Sequence, residues 1–165
     1  MYALNCFFKN KEVITMQRVN LGKTAPELYK TVLELENLST QKVKQAGLDL
    51  GFSHLLKLRA SQINQCAFCV RMHTQDAIKA GESTDRIALI SAWQESGYFS
   101  KKERAALVLI EEITLIATQH FPDSAYERAA NVLSSDEITA IEWIAIVINT
   151  WNRIAISSQY QVTPN

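Results

Sequence analysis

Apolar residues recur at intervals of three and four along most of this 165-residue chain, as in Leu28, Val32 and Leu35 and again in Leu107 and Ile110. That spacing lays a stripe down one face of an α-helix, and no alternating strand pattern competes with it. Helix starts are marked by a Ser or Thr followed three residues later by Glu, the capping-box signature, in Thr24-Ala25-Pro26-Glu27, Ser100-Lys101-Lys102-Glu103, Ser124-Ala125-Tyr126-Glu127 and Ser134-Ser135-Asp136-Glu137. Five glycines and three prolines leave few interruptions between them. The pattern predicts an all-α fold with helices near 25–46, 49–63, 65–80, 84–95, 101–120, 123–133 and 135–157. No solenoid-length repeat is present. Residues 1–15 read as an N-terminal extension, because the first strong helix signal comes at Thr24 and Met16 could itself begin a compact chain; residues 16–165 read as one domain.

One predicted helix carries chemistry. In Asn64-Gln65-Cys66-Ala67-Phe68-Cys69-Val70-Arg71-Met72-His73, about 100° per residue puts Cys69 about 60° and His73 about 20° round the axis from Cys66, so two thiols and an imidazole share a face. Asn64 is the expected N-cap and Gly81 the expected C-terminal stop, which places Cys66 in the first turn, where thiolates are favoured. Lowering a thiol from about 8.5 to about 7 needs roughly 2 kcal/mol, whereas a helix N-terminus supplies about 0.3–1 kcal/mol. A second group must contribute, and His73 is the nearest candidate.

Composition narrows the class. At 47% hydrophobic residues the chain can bury one good core. Its 17 basic and 17 acidic residues cancel without a run of either sign, so the electrostatic footprint of a nucleic-acid or acidic-membrane binder is missing. Three cysteines are too few for a secreted disulfide framework, and a close pair beside a histidine suits redox or metal chemistry in a reducing, cytoplasmic setting. Cys6 is left over. The apolar stretch Trp143-Ile144-Ala145-Ile146-Val147-Ile148 falls short of the ~20 residues of a membrane span and reads as core or subunit interface. His120 and the tryptophans Trp93, Trp143 and Trp151 read as surface and packing residues, and Arg59, Glu103 and Arg153, set among apolar neighbours, as paired charges. Zinc held by Cys66, Cys69 and His73 is the main alternative to redox chemistry, but a closed site needs a fourth ligand from Cys6, His54 or His120.

The blocks Leu58-Arg59-Ala60-Ser61-Gln62-Ile63-Asn64, CxxCxxxH, Asp76-Ala77-Ile78-Lys79-Ala80-Gly81-Glu82, Glu103-Arg104-Ala105-Ala106-Leu107 with Trp93, Glu111 and Thr114, and Asn149-Thr150-Trp151-Asn152-Arg153 together resemble the alkylhydroperoxidase D-like (AhpD-like) branch of the carboxymuconolactone decarboxylase superfamily, from about Met16 to about Ser157. The resemblance implies an all-α fold with the CxxC at the N-terminus of a central helix, assembled as trimers or hexamers. It implies a peroxidase without cofactor or resident metal, reducing a small hydroperoxide and recycled by a thiol- or lipoyl-bearing protein. By position, Cys69 would meet the peroxide, Cys66 would resolve to a disulfide, and His73 would accept or relay the proton. Family members usually carry a glutamate twelve residues before the first cysteine; His54 stands there in this chain and is expected to serve the relay with an altered pH profile. Gln65 stands where glycine is frequent and is expected to narrow the approach to Cys66. The same superfamily admits a lactone decarboxylase, which has no need of a dithiol, and a structural zinc or redox-sensing subunit is the non-enzymatic alternative.

Overall fold

The computed structural model describes residues 17–164. The expected extension at 1–15 and Cys6 lie outside them. Among the described residues every regular element is helical: α1 (Leu21–Thr24), α2 (Pro26–Gln45), α3 (Leu50–Ile63), α4 (Ala67–Lys79), α5 (Thr84–Leu89), a 3₁₀ segment (Ile90–Glu95), α6 (Lys101–Thr114), α7 (Asp123–Ala130) and α8 (Ser135–Ser157). None of these helices is long and apolar enough to cross a membrane.

The isoleucine-rich α8 is the axis of the fold. Ile138, Ile141, Ile144, Ala145, Val147 and Ile148 are buried because α2, α3, α4, α6 and α7 all pack against this helix, while Trp143, Ile146 and Ile156 on the same helix stay exposed. Helix α3 is buried almost throughout, through Phe52, Leu55, Leu56, Leu58 and Ala60, and forms a tight hairpin with α4.

Two of the four capping boxes close, at Ser100/Glu103 and Ser134/Glu137, where side chain and backbone bond reciprocally. The other two do not. Thr24 ends the short helix α1, which the periodicity missed and which Asn20 caps; α2 then starts at Pro26, whose missing N–H removes one of the orphan donors a cap would serve. Ser124 lies inside the first turn of α7 behind Pro122.

The helix expected over 84–95 is α only to Leu89 and continues as 3₁₀ from Ile90, broken within that segment at Ala92 (φ −120°, ψ 28°). The guanidinium of Arg104 donates to the carbonyls of Trp93, Gln94 and Ser96, so the backbone acceptors released by the break are satisfied from a distant helix. The expected charge pairing is present at two of the three positions: partly buried Arg59 bonds Glu111 at 2.6 Å and partly buried Glu103 bonds Arg86 at 2.6 Å, whereas Arg153 is exposed and donates to the backbone and side-chain oxygens of the neutral Asn149. His120 is exposed.

Candidate active site

The α3–α4 turn is built differently from the expectation. Asn64 is the C-cap of α3, not the N-cap of α4; Gln65 follows in the left-handed region at φ 56°, and Cys66 itself is the N-cap, its sulfur accepting from the Cys69 N–H at 3.4 Å. The reason is tertiary. The Asn64 amide donates to the side chains of Asn149 (2.9 Å) and Asn152 (2.8 Å) on α8, Asn152 donates to Ser61 Oγ at 3.0 Å, and Asn149 donates to Thr114 Oγ1 at 3.0 Å. A buried polar chain thus clamps the turn and denies Asn64 a capping role. Gln65 is exposed, so its departure from glycine is felt in the backbone, where a non-glycine residue at positive φ is strained.

Both cysteines are buried and reduced, with their sulfurs 2.7 Å apart, beyond the ~2.05 Å of a disulfide bond yet close enough to share a proton. The Cys66 thiol is brought down from its ordinary 9.0 to about 7, chiefly because the Cys69 S–H hydrogen-bonds to it, with burial opposing and the helix amides and Asn152 assisting. Cys69 is pushed up, first by that same bond and then by burial. The pair ionises as a unit, with its first negative charge centred on Cys66. The second group that assists thiolate formation is therefore the neighbouring thiol and not His73: burial holds the His73 imidazole down at about 3, so it is neutral and brings no positive charge.

A cavity of about 250 Å³ opens beside the dithiol. Cys69 lines it and Cys66 does not; His54, His73, Met72 and Phe68 contribute, with Tyr29, Leu33, Trp151 and Tyr160 forming an apolar wall. Tyr29 and Trp151 meet edge to face at 5.1 Å, as do Phe68 and Tyr160 at 5.2 Å, which fixes ring positions. Lys57, buried on α3, is ion-paired with Glu36 of α2, whose other oxygen accepts from the Trp151 indole at 3.1 Å. Helix α3 brings half-buried His54 against His73 of α4, the two Nδ1 atoms being 3.4 Å apart. Burial, reinforced by Lys57, lowers His54 as well.

All four residues singled out by sequence, Cys66, Cys69, His73 and His54, thus converge on one region. Asp76, Glu36 and Lys57 were missed. Asp76 lies one turn beyond His73, a spacing visible in the sequence, whereas Glu36 and Lys57 are joined only by tertiary packing. Either sulfur as a metal ligand finds no support: among the described residues, the side chains whose possible ligand atoms cluster are His54, His73 and Asp76.

With the all-α bundle and this site described, its class follows: the carboxymuconolactone decarboxylase family profile matches residues 26–112, and the chain belongs to that family, within its AhpD-like group. It is 40% identical over 141 residues to the uncharacterized protein YdfG of Bacillus subtilis (strain 168), covering 86% of this chain and 93% of that one. It also superposes, with a TM-score of 0.81 and 42% identity over 90% of this chain and 99% of the other, on the crystal structure of an Agrobacterium tumefaciens protein of unknown function described provisionally as an antioxidant defence protein, AhpD.

Proposed function

We propose that the protein is a dithiol hydroperoxide reductase serving antioxidant defence. The observation that carries this reading is the pair of reduced sulfurs 2.7 Å apart, one of which, Cys69, faces a mostly apolar cavity with two neutral imidazoles. In the reaction, the thiolate pools on the pair and passes to Cys69 as the shared proton moves to Cys66. Cys69 attacks the terminal peroxide oxygen, the O–O bond breaks, and the alkoxide leaves as an alcohol after taking a proton delivered through His73 and His54. The resulting sulfenic acid at Cys69 is attacked by Cys66, forming the disulfide and releasing water. An external dithiol reductant then returns two electrons and two protons. His73 is too weak a base to hold the proton, so it passes it on from the more exposed His54 to the departing oxygen.

Small organic hydroperoxides suit the aromatic wall. Reduced protein incubated with cumene hydroperoxide is expected to lose both thiols at Cys66 and Cys69 and release the alcohol. If the thiols stay reduced, or if Cys69→Ser turns over as fast as the parent, this reading fails. His54→Ala is expected to change the pH profile of turnover, and an unchanged profile removes His54 from the relay. Leu38 and Trp143 are 60% and 42% exposed and line one groove between α2 and α8; an apolar surface of this kind supports homo-oligomeric assembly. Light scattering should give a mass above one chain, and a monomer at micromolar concentration would contradict it.

A further inference from the structure

We propose that His54, His73 and Asp76 form a binding site for a divalent first-row metal ion in the wall of the cavity, with both sulfurs left outside its coordination shell. The donor set is two imidazole nitrogens and one carboxylate oxygen, all within 4.8 Å of one another, the ligand chemistry of zinc or ferrous sites that keep a position open for water or a small molecule.

The spacing of the rings is the first argument. Their Nδ1 atoms are 3.4 Å apart, longer than the ~2.7–3.2 Å of a good N–H hydrogen bond. Two nitrogens bound at about 2.05 Å to a tetrahedral ion stand about 3.4 Å apart. Asp76, from the same helix as His73 and one turn on, places a carboxylate oxygen within 4.8 Å of both imidazoles and offers the third ligand. Its carboxylate is partly exposed and touches Lys79 at 3.3 Å, a surface contact that costs little to exchange for a cation.

The second argument is the state of His73. The ring is 95% buried, since 5% remains exposed, and its Nε2 has no hydrogen-bond partner. Its other nitrogen has only the long contact to His54. The long Nδ1 contact is the one a metal bond would replace; Nε2 keeps its proton and stays unpartnered, so the Nδ1 geometry and not the orphaned nitrogen argues for the ion. Of the nearby charges, Lys57 lowers both imidazoles and so opposes a cation, but it is ion-paired with Glu36, Asp76 brings a negative charge into the site, and Lys79, 74% exposed, is free to turn into solvent.

The fourth position would face the cavity that Cys69 lines, so an ion there would engage both imidazoles and leave the dithiol unligated. Zinc chloride titrated into the full chain should bind one ion per chain. The Cys66→Ala/Cys69→Ala double variant should retain that binding, and cobalt(II) in this variant should show four-coordinate ligand-field bands without sulfur charge transfer. Asp76→Asn, which changes only a partly exposed side chain, and His54→Gln should each weaken binding by more than about tenfold. Binding that disappears with the cysteines, or that ignores both Asp76→Asn and His54→Gln, overturns the proposal, as does no binding to the parent. The double variant lacks the dithiol, keeping only the Cys6 thiol, and the hydroperoxide test is run with chelator present, so the metal site and the peroxidase reading stand or fall separately.

Discussion

Replacing Cys69 with alanine should raise the pKa of Cys66 sharply, because the Cys69 S–H is the largest cause of its lowering from 9.0 to about 7. Two pK units correspond to about 3 kcal/mol of preference for the thiolate, while the helix N-terminus at which Cys66 sits supplies about 0.3–1 kcal/mol. Most of the preference is therefore lost with the partner sulfur, and burial, which already opposes ionisation, is left less opposed. At pH 7 the thiolate fraction of Cys66 should fall from about half to about 1%, a drop of roughly fifty-fold in the species that alkylates. The assay is the initial rate of iodoacetamide modification against pH, with the ultraviolet absorbance of the thiolate as an independent titration. Cys69→Ser, which keeps a donor at the same place, should lie between the two. If Cys66 in Cys69→Ala still titrates near 7, the charge is hosted by the helix amides and Asn152, and the account of the pair as one ionising unit is wrong.

Asn152→Ala removes one of the two acceptors of the Asn64 amide and the donor to Ser61 Oγ and should cost about 1–3 kcal/mol in urea denaturation, while raising the thiol pKa values, since Asn152 lowers both; unchanged stability would show that the clamp on the turn is dispensable. His73 stays neutral in the fold down to about 3 but takes a proton near 6.5 when unfolded, so its contribution is complete above pH 6.5 and is lost as pH falls towards 3. By linkage the loss reaches about 2 kcal/mol at pH 5, and with chelator present a His73→Gln variant should show that much less acid sensitivity; equal slopes would refute the neutral assignment. Gln65→Gly removes a strained left-handed residue (φ 56°) and should raise stability by up to about 1 kcal/mol despite the greater freedom of the unfolded chain; a loss of stability would show that the Gln65 side chain contributes more than its backbone costs.

Helical periodicity and caps determined by themselves that this chain is an all-α bundle, because both are local properties of spacing and of side-chain oxygens near free amides. Ser100 and Ser134 are caps in sequence and in structure alike. The break at Ala92 was not legible, since the groups that satisfy it belong to Arg104, which the chain brings near only after folding. The site divides the same way. The CxxC spacing and His73 one turn beyond it announced a dithiol with an imidazole, and His54 was found through resemblance. Tertiary structure alone decided that Cys66 is the cap, because α8 claims Asn64 through Asn149 and Asn152. It also decided that His73 is uncharged, while the placing of Cys69 rather than Cys66 on the cavity agrees with the order the resemblance implied. Sequence supplies the reactive groups and their order along a helix; which of them meets water, and in what protonation state, depends on how much of the rest of the protein is packed around it.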